Sequence, residues 1–381
     1  MLTLRGPRGV RRGAALRDLG IIEDGAVLLR DGVIAEVGST RRLENLKDAR
    51  AAIEVPANGR IVVPGFVDAH VSLKIDTAHS GEKQLHRRQS MLNFYDDSLS
   101  LLRSCLHHGT LTADVKASGG ESNHSLDIPV LRKLAEIGSN PICAVRTWHV
   151  GATPLEQLNS EFAALFSKIV RKKLIRFVEF DRASGHTVDP QLLALIGESQ
   201  IGIKLSWAGA GADELVRCLE QFSPVAVYCI APAGLTADEV RALAGSSSLV
   251  VIGAGKEIFE GPPLRTGREM VDAGAAIALA SGYDSGSAAS FSMQMSLALA
   301  VVRLELTAEE AFSAATINAA YAAGRGDEVG SIEVGKKADL LLLNASDYRE
   351  VPSQFGVNHV DMVIRDGNIV LNRTRWKAMH N

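Results

Sequence analysis

The chain has 381 residues, 46% of them hydrophobic and 5% aromatic, and a formal net charge of −3 at pH 7. That length suits one barrel-sized domain with a small companion. A charge so near neutral offers no footing for nucleic acid or an acidic membrane, and the longest apolar stretches are too short, or carry a charge such as Arg303, to span a bilayer.

The first 17 residues carry five Arg and no acid, a faint likeness to a transit peptide, but strand-like sequence follows directly. Residues 26–38, AVLLRDGVIAEVG, are two apolar runs around Asp31-Gly32, and residues 362–371, MVIRDGNIVL, repeat the design around Asp366-Gly367. Asp-Gly between such runs is a strong hairpin signal. A further strand is expected over residues 338–344. The middle of the chain has a βα rhythm, with strand-like runs ending near Ser72, Lys116, His149, Asp181, Ser206, Ile230, Gly253 and Gly282. The pattern predicts an α/β protein: a (β/α)8 TIM-like barrel over residues 61–327, plus a small β-sandwich domain built from both chain ends, residues 1–60 and 328–381. The alternative is an open doubly wound sheet. Thr307 and Glu310 form a capping box ahead of the helical stretch AFSAATINAAYAAG. Cys105, Cys143, Cys218 and Cys229 are scattered, with no CxxC pair. They fit a reducing cytoplasm and argue against a disulfide framework or a cysteine zinc site.

Residues 64–72, PGFVDAHVS, resemble the start of the barrel in the metal-dependent amidohydrolase superfamily, where PGFVDxHxH sets two imidazoles two residues apart on one strand face. Residues 287–370 are similar to the imidazolonepropionase branch of that superfamily, through SFSMQMSLALA, LTAEEAFSAATINAAYAAG, VGSIEVGKKADLLLLN and SDYREVPSQFGVNHV; HGTLTADVKASGG at residues 108–120 is similar as well. The resemblance implies a hydrolase of C–N bonds in small cyclic amides, a homodimer, and a single divalent metal, zinc or iron. It places the ligands at His70, at Ser72 where the family has His, at Ser206 where VKLHAD has become IKLSWA, and at Gly282 where ALATDFNPGS has become ALASGYDSGS. The sixth-strand motif, normally with a His, reads Val227-Tyr228-Cys229-Ile230, and the family's glycine-rich loop after the first strand is missing. A catalytic metal usually takes three protein ligands, so a degenerate metal site with no cofactor is expected. Asp284, two residues beyond the lost acid, is a candidate replacement.

Other histidines could rebuild a site. His107 and His108 beside Gly109 read as helix-end imidazoles favoured by the dipole. His79 and His86 fall in the divergent loop after the first strand, and His124 and His186 elsewhere in the barrel. His149 ends the third strand near a substrate-contacting His of the family. Side chains at the carboxyl ends of barrel strands converge on one cleft. Lys116, His149, Glu179 and Lys204 are therefore the catalytic candidates, with His70, Ser72, Asp181, Ser206, Tyr228, Gly282 and Asp284 lining the pocket. Three functions remain open: a metal-independent enzyme for a small nitrogen-containing substrate, a metallo-hydrolase with unusual ligands, and a silent scaffold or binding protein. In each the partner is a small molecule.

Overall fold

A computed structural model describes residues 1–74, 84–118, 126–150, 160–182, 190–230, 232–253, 266–285 and 290–373. The barrel strands are β4 (Phe66–Lys74), β5 (Thr110–Ser118), β6 (Cys143–His149), β7 (Phe177–Arg182), β8 (Gly202–Trp207), β9 (Ala226–Cys229), β10 (Leu249–Gly253) and β11 (Ala276–Ala280). Each pairs in parallel with the next. A two-residue strand, β12 (Tyr283–Asp284), continues from β11 and pairs in parallel with β4, which brings the eighth strand back to the first. Asp68 strengthens that seam, since its Oδ1 accepts the Ser281 N–H at 2.9 Å. A helix follows every strand, from Gln84–His107 after β4 to Met293–Arg303 after β12. This is a (β/α)8 barrel.

Period-two alternation sorts its residues. Val67, Val145, Phe177, Ala226, Val251 and Ala278 share an interior apolar cluster. Their neighbours Val71, Val115, Val178, Leu205 and Val227 belong to the larger core, together with helix residues such as Leu131, Phe166 and Leu215. The capping box at Thr307 forms as expected. The helix behind it breaks at a π-helical turn, Ala314–Asn318. There the Asn318 amide donates to the Arg11 and Ile277 carbonyls, both at 2.8 Å, and accepts the Arg11 N–H at 2.8 Å. Such a local distortion has no periodicity to announce it.

The two chain ends meet beside the barrel. β1 (Gly25–Arg30) and β2 (Val33–Ser39) form one hairpin. β3 (Ile61–Pro64), β13 (Leu340–Leu343), β14 (Val360–Arg365) and β15 (Asn368–Asn372) form an antiparallel sheet in the order β15-β14-β13-β3. The two sheets share a core in which Ile34 and Val37 pack with Ile332, Leu340, Leu342 and Met362. Ile61–Pro64, expected at the entry to the barrel, thus belongs to this sheet through its pairing with Leu340–Leu343. Both Asp-Gly turns have positive φ at both residues: 51° and 79° at Asp31-Gly32, 44° and 76° at Asp366-Gly367. The two tips also touch. A Cβ on Gly367 would sit 3.2 Å from the Gly32 Cα, so only glycine fits the crossing. No helix among the described residues is long and apolar enough to cross a membrane.

Candidate active site

A bulge in β4 shapes the floor of the cleft. Asp68 pairs with Ala113 and Val71 with Val115, so Ala69 and His70 together face the single residue Asp114. Bulges re-aim side chains beside functional sites. Here the bulge leaves His70 buried, its ring stacked on Tyr228 with centroids 3.6 Å apart. Burial, followed by the Lys116 charge, holds the His70 imidazole well below its ordinary pKa, so it is neutral. Its Nδ1 is buried without a hydrogen-bond partner.

Alternation along the strands then brings two sets of polar side chains into the barrel interior, because residues two apart on a strand share a face. In the first set Ser72 lies opposite Lys116, His149 opposite Glu179, Asp181 opposite Ser206, and Ser206 opposite Tyr228. The Lys116 ammonium is ion-paired with Glu179 Oε2 and lies 5.1 Å from the Tyr228 ring centroid. The Ser206 hydroxyl donates to Glu179 Oε1 at 2.6 Å. Burial opposes the Glu179 charge. Lys116 and then His149 outweigh it and keep this carboxyl well below the usual carboxylate range.

In the second set the Lys204 ammonium pairs with Asp114 Oδ2 at 2.5 Å and lies 4.1 Å from the Phe177 ring centroid. The Thr147 hydroxyl donates to the other oxygen of Asp114. Lys204 is 2% exposed; although it is Glu179's register partner, its ammonium goes to Asp114. The sequence reading missed Asp114, Thr147 and the Asp68–Ser281 seam. The two-residue spacing of Asp114 and Lys116 was the available signal for the second set.

Solvent reaches the cluster at His149 and Asp181, whose side chains are 27% and 28% exposed. His149 Nε2 lies 3.3 Å from Asp181 Oδ2, and Nδ1 lies 3.6 Å from Glu179 Oε1. Burial disfavours the charged ring, but the contacts with Asp181 and Glu179 prevail and raise its pKa to about 9. The rim holds an imidazolium at neutral pH, a group able to donate a proton. On the same rim Asp284 is ion-paired with Lys74 at 2.9 Å. Gly282 has φ 65°. A Cβ on Gly253 would meet the Tyr228 hydroxyl at 2.7 Å and the Gly282 Cα at 3.0 Å, so the two glycines make room for the phenol. His107 closes a helix, and the His108 ring packs edge-on against Phe291 at 5.1 Å, away from the cleft residues. His79, His124 and His186 lie outside the described residues, as does the side chain of His86.

The amidohydrolase family pattern matches residues 250–370. The imidazolonepropionase of Bacillus velezensis is 30% identical over 96% of this chain and 94% of its own length. That of Parabacteroides distasonis is 30% identical over 95% and 94%. Among solved structures, N-isopropylammelide isopropylaminohydrolase from Burkholderia multivorans superimposes with a TM-score of 0.69 at 18% identity, covering 96% of this chain and 97% of that one. Guanine deaminase from E. coli gives 0.64 at 17% identity over 92% and 93%; at such identities the likeness is one of fold. The chain belongs to the amidohydrolase superfamily, and within it is imidazolonepropionase-like.

Proposed function

We propose that this chain acts on a small cyclic amide at the mouth of its amidohydrolase barrel, without the metal centre its relatives' architecture implies. The observation that carries this reading is the Lys116–Glu179 ion pair, set under the Tyr228 ring among the family's ligand positions. The residues present do not fit a metal there. Of the four ligand positions only His70 keeps an imidazole, and its ring is covered by Tyr228. The Ser206 hydroxyl already donates to Glu179, Gly282 brings no donor, and a serine hydroxyl at position 72 is a weak substitute for a neutral imidazole on zinc. An ammonium beside a dication would also be repelled.

Chemistry at the mouth then falls to His149, the candidate acid with access to solvent. Held protonated by Asp181 and Glu179, it can hydrogen-bond a ligand's carbonyl oxygen; as water adds to the carbonyl carbon and gives up a proton to Asp181, His149 can pass its own proton to the nitrogen that leaves. Glu179 and Lys116 hold it in place from below, and Lys204 pairs with Asp114.

The test is metal analysis of chain purified without chelator, alongside turnover of a panel of cyclic amides. Less than stoichiometric metal and turnover of some panel member are expected. Any turnover, that of imidazolone propionate included, should stay well below the median enzyme rate of about 10 per second, because water without a Lewis acid keeps a pKa near ~15.7. Stoichiometric zinc or iron whose removal abolishes turnover overturns the reading. No turnover across a broad panel favours a binding role for the same pocket.

A further inference from the structure

We propose that His149, Glu179 and Asp181 form a latent cation site at the ends of β6 and β7, whose Glu179 is neutralised in this chain by the Lys116 ammonium, and which a divalent transition metal can occupy once Lys116 is shortened. The proposal rests on the reading above that Lys116 stands where a cation is needed. It concerns a different ligand set, on the third and fourth barrel strands.

The backbone places the set. His149 and Glu179 are register partners across β6 and β7, and Glu179 and Asp181 are two residues apart on β7, so all three can share the cleft face. One ligand atom from each lies within 4.8 Å of the others. An imidazole and two carboxylates are a donor set that zinc accepts, with a coordination position to spare. Glu179 is fully buried, and a buried carboxylate needs a positive partner. Its Oε1 takes the Ser206 hydroxyl, and its Oε2 takes the Lys116 ammonium. Removing the ammonium frees Oε2 and leaves a buried carboxylate in need of a new positive partner.

A second observation points the same way. His149 Nδ1 is buried and lacks a hydrogen bond, although Glu179 Oε1 lies 3.6 Å away. The Nδ1 of His70, 8% exposed and stacked on the ring that Lys116 overlies, lacks one too. Buried polar atoms in folded proteins are almost always satisfied. At His149 a metal that displaces the ring proton would give the nitrogen the bonded partner it lacks.

The experiment measures zinc binding calorimetrically with the full chain and with Lys116→Ala and Lys116→Gln. Lys116→Ala should bind one zinc per chain, roughly 100-fold or more tighter than the unsubstituted chain, as removal of a like-charged buried neighbour allows. Adding His149→Ala should abolish that binding, and adding His70→Ala should leave it. If Lys116→Ala does not fold alone, refolding with and without zinc gives the answer, because metal binding to the folded state is folding free energy. Zinc-dependent recovery supports the site, and failure of both Lys116 variants to fold with zinc present overturns it. Folded variants that bind no zinc overturn it while leaving the proposed function standing. Zinc in the unsubstituted chain that is lost on His149→Ala overturns the ammonium's role. Zinc lost there on His70→Ala overturns the proposed function instead.

Discussion

The His70 imidazole lies against the Tyr228 phenol with ring centroids 3.6 Å apart and planes 23° apart. One ring comes from the first barrel strand and the other from the sixth, strands that are not neighbours in the sheet. The stack spans the barrel interior at the level where the family resemblance places metal ligands. Tyr228→Ala removes a large side chain from this contact and should cost about 3–5 kcal/mol in urea unfolding. Tyr228→Phe keeps the stacked ring and should cost less than about 1.5 kcal/mol. Equal losses would mean that the hydroxyl, not the ring, holds the contact.

The Lys116–Glu179 pair joins the second and fourth barrel strands with both side chains sealed from solvent, 3% and 0% exposed. Lys116→Met strands a carboxylate that retains the Ser206 hydroxyl and a distant His149, and should cost about 3–5 kcal/mol. Lys116→Met with Glu179→Leu removes both charges and should be more stable than Lys116→Met alone. A double variant less stable than both single ones would show that the pair is not the unit that matters.

What could be read from sequence was whatever repeats locally. The Asp-Gly turns were legible because a two-residue turn with positive φ at both positions selects that dipeptide. The eight strands were legible because βα alternation recurs along the chain. The family resemblance assigned ligand positions through motifs that end strands. The partnerships inside the barrel were not legible. Lys204 is Glu179's neighbour in strand register, yet the ammonium that reaches Glu179 is that of Lys116, two strands away, a contact across the barrel interior that no local pattern announces. The β4 bulge that turns His70 toward Tyr228 is a one-residue irregularity with no compositional mark. Asp284 looked like a spare carboxylate in sequence, and only the barrel's closure at β12 places it beside Lys74.

Asp68 should make stability depend on pH at the acid end. Burial pushes its carboxyl from the usual 3.8 up to about 6, with hydrogen bonds from Ser281 and the His70 N–H pulling the other way. The folded chain holds this proton more tightly than the unfolded chain. The stabilisation is complete below the unfolded value of 3.8 and is lost as pH rises through about 6. A shift of that size corresponds to about 3 kcal/mol. Asp68→Asn keeps an oxygen for the Ser281 and His70 N–H groups without the charge. Relative to the unsubstituted chain it should gain about that much between pH ~4 and pH ~7 in urea unfolding. A difference between the two proteins that does not change with pH would refute the assignment.

His149 works in the opposite range. Its folded pKa of about 9 stands above the ordinary 6.5, so it contributes stability in full below 6.5 and loses it as pH rises through about 9. The loss should approach about 3 kcal/mol by pH ~10 and should be absent from His149→Gln, which is uncharged throughout. The direction separates two physical effects. Burial acting alone would push an imidazole below 6.5; only the Asp181 and Glu179 carboxylates, 3.3 and 3.6 Å from its nitrogens, can hold it above. Asp181→Asn removes one of them and should bring the midpoint down toward 6.5, read from the His149 ring proton by NMR. A ring that titrates below 6.5 in the unsubstituted chain would mean that burial outweighs both carboxylates. The mouth of the barrel would then carry a neutral base where an acid is proposed.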